Sequence, residues 1–270
     1  MRRLFSIFIA AFMLAGAARA GEAELAELER ALGLPQIIAV MQEEGRAYGA
    51  DIADSMLPGG VTPRWSQMVA RIYDADKMAG IVSNGFRKTM EGTDTDPLLA
   101  FFQSETGKQI VELEIAARRA FLDEGTEAAA RLAFLDMPAG DPHLKAVADY
   151  IKVNELVEFN VVGGMNSNYM FYRGLIDGGA VEMGEAEVLA DVWSEEDATR
   201  TDTREWMFAF LTAAYSPLKV EQIEAYTALS RTPEGAALNR ALFAGFDQMY
   251  SEISLLLGLA TAQMMGGEDL

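Results

Sequence analysis

The fold is decided around the stretch Ser104-Glu105-Thr106-Gly107-Lys108-Gln109-Ile110, which follows the apolar segment Leu98-Leu99-Ala100-Phe101-Phe102 and opens a long amphipathic run. The Ser104 hydroxyl can accept a hydrogen bond from an orphan backbone N–H of the first helical turn, so Ser104 is predicted to be an N-cap. Gly107 has no side chain, which lets the preceding helix approach closely. The stretch therefore predicts a tight corner between two helices.

A second version of this corner occurs at Thr232-Pro233-Glu234-Gly235-Ala236-Ala237-Leu238, with Thr232 as the predicted N-cap and Gly235 as the small residue. When the chain is aligned on the two corners, Trp65 falls on Trp193. One duplicated unit would explain both observations. We therefore expect an internal duplication, with chance similarity between amphipathic helices as the alternative, and we expect these four corner residues to be structural.

Hydrophobic residues recur at helical spacing along the chain, and no stretch alternates for long enough to predict a sheet. The expected fold class is all-α, with two tandem helical-bundle repeats over residues 21–137 and 138–270. Glycine pairs are expected to end helices, and Gly163-Gly164 is one such predicted boundary.

Residues 1–20 have the form of a secretory signal peptide. Arg2 and Arg3 precede an apolar core, and Ala18-Arg19-Ala20 is a small-x-small cleavage site. We expect cleavage after Ala20 and no membrane insertion of the mature chain. The expected location of the protein is the periplasm.

The net charge and the cysteine count argue against several classes of partner and catalytic site. Cleavage would remove three of the 22 basic residues and none of the 41 acidic ones, leaving a net charge of −22. That charge argues against a nucleic-acid partner, which needs a cationic footprint. The chain has no cysteine, which excludes thiol catalysis and zinc–thiolate sites and leaves packing alone to stabilise an exported protein.

An apolar-aromatic helix followed by Ser/Thr-x-x-Gly and a long amphipathic helix occurs at Phe101-Phe102-Gln103-Ser104-Glu105-Thr106-Gly107-Lys108 and again at Ala228-Leu229-Ser230-Arg231-Thr232-Pro233-Glu234-Gly235. Behind a signal peptide, this pattern resembles the bacterial domain-of-unknown-function family 2059 (DUF2059). Counting both copies, the resemblance covers residues 65–123 and 193–262. It implies an exported, helical envelope protein and brings no activity or catalytic residue with it.

Few residues point to catalysis. His143 is the only histidine, and its position after Asp141-Pro142 predicts an exposed surface residue in the first turn of a helix. Carboxylate pairs at helical spacing, such as Glu155 with Glu158, could do acid–base work only if burial separated their pKa values. The sequence assigns no catalytic residue, no cofactor and no metal site.

The most unusual polar segment runs from Asn160 to Arg173. On a helix, Asn166, Tyr169 and Arg173 would lie on one face at positions i, i+3 and i+7. An amide, a phenol and a guanidinium together could hold a carboxylate or another small polar ligand. A polar network between the two repeats, or simply a solvated helix face, is the alternative interpretation of the same residues.

These observations favour non-enzymatic binding of a small ligand or a protein partner in the cell envelope. The alternative is a hydrolase that uses buried carboxylates, which predicts an Asp or Glu with a strongly shifted pKa in a groove between the repeats. A structural oligomer, for example a homodimer, is a third hypothesis. It predicts an exposed apolar stripe from Leu255 to Met265.

Overall fold

A computed structural model describes residues 21–266, so the predicted signal peptide lies outside the described residues. Within them the chain forms thirteen α-helices and no β-strand, which confirms the all-α prediction. No helix in this part of the chain is long and apolar enough to cross a membrane. The helices are α1 (Glu22–Ala31), α2 (Leu34–Met56), α3 (Pro63–Ile72), α4 (Ala75–Met90), α5 (Asp96–Phe102), α6 (Glu105–Ala120), α7 (Glu124–Leu135), α8 (Pro142–Val153), α9 (Leu156–Asp177), α10 (Glu185–Ser194), α11 (Glu196–Tyr215), α12 (Val220–Ser230) and α13 (Pro233–Met265).

The final helix, α13, is 33 residues long and packs along both α4 and α9. It runs parallel to α9 in one register, because Phe159 near the start of α9 stacks on Phe243 of α13, and Gly174 lies against Gly258 further along both helices. A Cβ atom added at Gly174 would lie 2.8 Å from the Cα of Gly258. The two backbones therefore approach at a distance that only glycine permits.

A second glycine pair holds α13 against α4. A Cβ atom at Gly85 would lie 2.8 Å from the Cα of Gly245, and one at Gly245 would lie 2.7 Å from the carbonyl oxygen of Val82. These atoms belong to the backbone, which cannot move aside as a flexible side chain can. Helix α13 is thus fixed on two sides by backbone contact.

The buried hydrophobic residues form two clusters. The first cluster joins α1 to α5 with α13, so that Trp65 and Phe86 share it with Met249. The second joins α8, α11 and α12 with Ile110 of α6, and Tyr215 is fully buried in it. Because the first cluster takes residues from both sides of residue 137, the clusters do not follow the predicted repeats, and that division stays a prediction.

The two predicted corners have the same local geometry. Ser104 Oγ accepts a hydrogen bond from the backbone N–H of Gly107 at 3.1 Å, and Thr232 Oγ1 accepts one from Gly235 at 3.0 Å. A Cβ atom at Gly107 would lie 2.7 Å from the Cα of Phe102, and Gly235 lies equally close to the end of α12. The small residue is therefore needed where each pair of helices turns.

Outside the corners the two halves differ. Trp65 is 1% exposed and donates its indole N–H to the carbonyl oxygen of Gly49 at 2.6 Å, whereas Trp193, its counterpart in the alignment, is 64% exposed. The corner itself occurs twice, and the wider internal duplication stays a prediction.

The predicted helix end at Gly163-Gly164 is wrong. The break falls earlier, where Glu155 adopts a left-handed conformation with φ of 51° between α8 and α9. Gly163 lies inside α9, where Asp247 of α13 packs against it. A Cβ atom at Gly163 would lie 2.7 Å from Asp247 Oδ1, so a larger residue would clash there.

Alanine at Gly258 or Gly245 is expected to lower the free energy of unfolding by ~1–3 kcal/mol, because the added methyl group meets backbone atoms. The control is Gly80→Ala on the exposed side of α4, where an added Cβ meets nothing within 4 Å. That change is expected to raise stability by up to ~1 kcal/mol through helix propensity. Urea unfolding followed by circular dichroism measures all three. Equal stability of the Gly258→Ala and Gly80→Ala variants would contradict the packing argument.

Candidate functional site

A groove of about 550 Å³ opens between the two hydrophobic clusters. Its walls come from α2, α6, α8, α9, α11, α12 and α13, so both halves of the chain contribute. Most of the lining is apolar, and eight aromatic side chains take part: Tyr150, Phe159, Trp206, Phe210, Tyr226, Phe243, Phe246 and Tyr250.

The aromatic rings form a preorganised wall because several of them pack in pairs across helices or along one helix. Phe159, Trp206 and Phe243 each keep part of their surface accessible while lining the groove. Such offset and stacked arrangements are favourable in themselves, which holds the rings in place. Centroids lie 4.5 to 4.9 Å apart in three pairs: Phe159 with Phe243, Tyr150 with Tyr226, and Trp206 with Phe210.

Helix α9 presents a narrow face of small and polar residues to the groove. Asn160, Gly163, Gly164 and Ser167 line it and follow one another at helical spacing. The Asn160 amide donates to the carbonyl oxygen of Leu156 at 2.7 Å, within its own helix. Larger side chains on this face would occupy the groove, so its width depends on these residue types.

The three residues predicted to bind a ligand lie elsewhere on α9. The Tyr169 hydroxyl donates to Glu185 Oε1 at 3.3 Å, and Arg173 lies beside Tyr169 with its guanidinium 3.6 Å from Asp177 Oδ1. Asn166 is exposed. None of the three lines the groove. The structure thus brings Tyr169 and Arg173 together towards α10, and a ligand site there stays a prediction.

Glu114 of α6 is the carboxyl group that the sequence reasoning missed. It lines the groove and accepts a hydrogen bond from the hydroxyl of buried Tyr215. Burial raises the pKa of Glu114 to about 7, although the Tyr215 hydrogen bond lowers it. The sequence contains a signal for a buried acid here, because Glu114 interrupts the apolar stripe of α6 one turn after Ile110.

Arg118 lies one turn after Glu114 and is paired with an acid. Its Nε and Nη2 atoms lie 2.9 and 2.7 Å from the two carboxylate oxygens of Glu44, and Nη2 is 3.5 Å from the Tyr250 hydroxyl. This bidentate pair joins α6 to α2 and is the strong form of the interaction. The charge of Arg118 is therefore balanced by Glu44.

Asp247 of α13 is the third charged residue in the lining, and its surroundings differ. Its side chain lies against Gly163 and is half-buried, and no described residue donates a hydrogen bond to it or forms an ion pair with it. Desolvation raises the pKa of Asp247, with no hydrogen bond to oppose the shift. An acid in this state keeps hydrogen-bonding capacity that a molecule in the groove could use.

The exposed position predicted for His143 is wrong. The imidazole is half-buried, and its Nε2 lies 2.8 Å from the carbonyl oxygen of Tyr215. Because a carbonyl oxygen only accepts, Nε2 must carry the proton. His143 therefore ties the start of α8 to the end of α11, close to the residue that contacts Glu114.

The apolar stripe from Leu255 to Met265 is largely covered. Leu257 and Ala260 are buried, and Leu256 and Met265 are the large hydrophobic residues of this stretch that are exposed. The continuous exposed stripe expected of a structural oligomer is not found in this described segment. A homodimer stays a prediction without an assigned surface.

Residues 76–133 match the family model described as an uncharacterized protein conserved in bacteria (DUF2059). The match confirms the resemblance to DUF2059 for this segment. The DUF2059 segment spans α4 to α6 and most of α7, and it includes the first corner together with Glu114 and Arg118. Residues 193–262 lie outside the match, so a second DUF2059 copy stays a prediction. No curated protein and no solved structure matches the chain.

Glu114, inside the DUF2059 segment, should make stability depend on pH. Its pKa is 4.5 in a model peptide and about 7 in the folded chain, so the folded state holds a proton that the unfolded state loses between these values. Stability contributed by this group is therefore present below about pH 4.5 and declines as pH rises to about 7.

Glu114→Gln is expected to remove this decline, since glutamine can still accept the Tyr215 hydrogen bond but does not titrate. The stability of the variant relative to the wild type should rise by about 2 kcal/mol between pH 5 and pH 8, following the cost of about 1.4 kcal/mol per pKa unit. Urea unfolding of both proteins at four pH values measures this difference in the free energy of unfolding. A difference that stays constant with pH would show that the Glu114 pKa is not raised.

Proposed function

We propose that this protein is exported to the periplasm and binds a small amphipathic molecule in the groove between its two hydrophobic clusters. The observation that carries the proposal is the aromatic lining of a groove of about 550 Å³. Volumes of ~300–1,000 Å³ with a mostly apolar wall and a few polar groups are typical of small-molecule sites. Export rests on the form of residues 1–20.

The apolar wall supports an apolar ligand body. Phe159, Trp206 and Phe243 keep accessible surface in the groove, although aromatic residues of this size are favourable to bury. A ligand that covered them would gain ~25 cal/mol for each Å² of apolar surface removed from water. A carboxyl group of the lining would then contact its polar part.

An adjoining hollow supports an elongated shape for the ligand. This hollow, of about 300 Å³, is lined by Tyr48, Tyr73 and Phe171 among others. It shares Gly164 and Ser167 with the main groove, so the two meet at the small-residue face of α9. A rod-shaped molecule could extend from one into the other.

The test uses the fluorescent rod diphenylhexatriene, which emits in apolar surroundings. Wild-type protein is expected to bind it saturably, and Ser167→Trp should weaken binding at least tenfold because the indole would fill the junction. Asn166→Trp is the matched control, since the neighbouring side chain is exposed and lies outside the groove. Circular dichroism checks that both variants are folded.

Two results would overturn the binding proposal: absence of saturable binding to the wild type, or equal affinity of the Ser167→Trp variant. Loss of binding in Asn166→Trp alone would instead favour the face that carries Tyr169 and Arg173. Native mass spectrometry of the mature protein from its own host's periplasm would then identify a retained molecule by its mass.

A hydrolase is the second candidate function, favoured by the position of Glu114 in the groove lining, where burial raises its pKa to about 7. A carboxyl group poised near neutral pH can act as a general acid or base. The test is hydrolysis of a panel of 4-nitrophenyl esters and glycosides by the wild type and by Glu114→Gln. Turnover that the substitution abolishes, with fold retained, supports catalysis; turnover that it leaves unchanged excludes Glu114 as the catalytic group.

A further inference from the structure

The charges in the groove are not equally available to a ligand. Glu114 is hydrogen-bonded by Tyr215, and Arg118 is held bidentately by Glu44. Asp247 has no such partner among the described residues. The charged group of the lining that has no partner of its own, and is therefore the most available to a ligand, is the Asp247 carboxylate on α13.

Aromatic rings flank this carboxyl group. Phe243 precedes Asp247 by one turn of α13 and Tyr250 follows it by nearly one, and all three line the groove. Phe159 of α9 stacks on Phe243 at 4.5 Å between centroids. On the α9 side, the absence of a side chain at Gly163 leaves the space that Asp247 Oδ1 occupies.

We infer, building on the proposed binding function, that the ligand is an amphipathic cation: its ammonium group pairs with Asp247, and its apolar body lies along the aromatic rings. Ring faces carry negative charge density and attract alkylammonium groups, more strongly when water is excluded. A carboxylate beside such rings is a combination that favours a cation over a neutral molecule of the same shape.

The same groups disfavour an anionic ligand. Arg118 is the one basic residue in the groove lining, and its charge is balanced by Glu44. An anion would also meet Asp247 and the ring faces, which repel it. The overall acidity of the chain raises the local concentration of cations around the whole molecule, so the test must separate that general field from the site.

The experiment compares three probes that share one body: neutral diphenylhexatriene, its trimethylammonium derivative and its propionate derivative. Fluorescence titration of the full mature chain at pH 8 in 0.15 M sodium chloride gives a dissociation constant for each, and this salt concentration limits long-range attraction to about 8 Å. The cationic probe is expected to bind about tenfold more tightly than the neutral one, within the range of cation–aromatic and ion-pair contacts. The propionate probe should bind most weakly.

Substitutions then assign the preference to one residue. Asp247→Asn should remove most of the tenfold preference for the cation, because only the attraction of the aromatic rings remains, and leave binding of the neutral probe unchanged, which also shows that the groove is intact. Glu252→Gln is the control for general charge, because Glu252 is exposed on the same helix and bonds to Gln248. Glu114→Gln tests the other acid in the lining and should keep the preference.

The outcomes separate this inference from the proposed function. Tight binding of the neutral probe with no preference for the cation overturns the inference and leaves the binding function standing. Absence of binding by all three probes overturns both. A preference lost equally in Asp247→Asn and Glu252→Gln would trace it to the overall charge, and one lost in Glu114→Gln alone would move the anchor to α6; either result rejects Asp247.

Discussion

Backbone contact along α13 is the constraint on which the rest of the structure depends. Two glycine pairs, Gly85 with Gly245 and Gly174 with Gly258, let α13 contact α4 on one side and α9 on the other. At these distances any larger residue would clash with backbone atoms. The chain has no cysteine, so no disulfide can substitute for this packing. Because α4 belongs to the first hydrophobic cluster and α9 also contacts α11 of the second, α13 ties the two clusters together.

The groove follows from a change in residue size along one helix pair. Helices α9 and α13 run parallel in a constant register, and their backbones touch at Gly174 and Gly258. Towards their N-termini the same register brings Phe159 against Phe243, so the two helices meet there through stacked rings instead of glycine backbone. The groove opens beside these rings, is bounded by α6, α8 and α11, and is lined on the α9 side by small residues. Glycine at one end and phenylalanine at the other therefore produce both a tight contact and a groove.

The parts of the structure that depend on neighbouring residues in the chain can be predicted from sequence. The N-caps Ser104 and Thr232 depend on hydrogen bonds three residues away, and the helical period needs no tertiary information. The failures have tertiary causes. Gly163-Gly164 has the composition of a helix end, but Gly163 is needed within α9 because Asp247 of α13 lies against it. The helix break falls at Glu155, which adopts a left-handed backbone conformation that glutamate does not indicate in a sequence. The sequence likewise indicates that α9 carries a polar segment, but which face of α9 lines the groove depends on the helices packed around it.

The acids in the groove differ from the structural acids of the same protein in one respect. Glu29 accepts hydrogen bonds from both Ser83 and Arg87, so the cost of its desolvation is offset within the fold. Among the described residues, Glu114 has one hydrogen-bond partner, Tyr215, and Asp247 has none, so each retains a desolvation cost that the chain could avoid by placing the charge at the surface. A molecule that binds only the folded state and supplies the missing positive charge would return that stability on binding. On the proposed binding function, a ligand accounts for the unpartnered carboxyl group of Asp247, which the fold alone leaves without a hydrogen bond among the described residues.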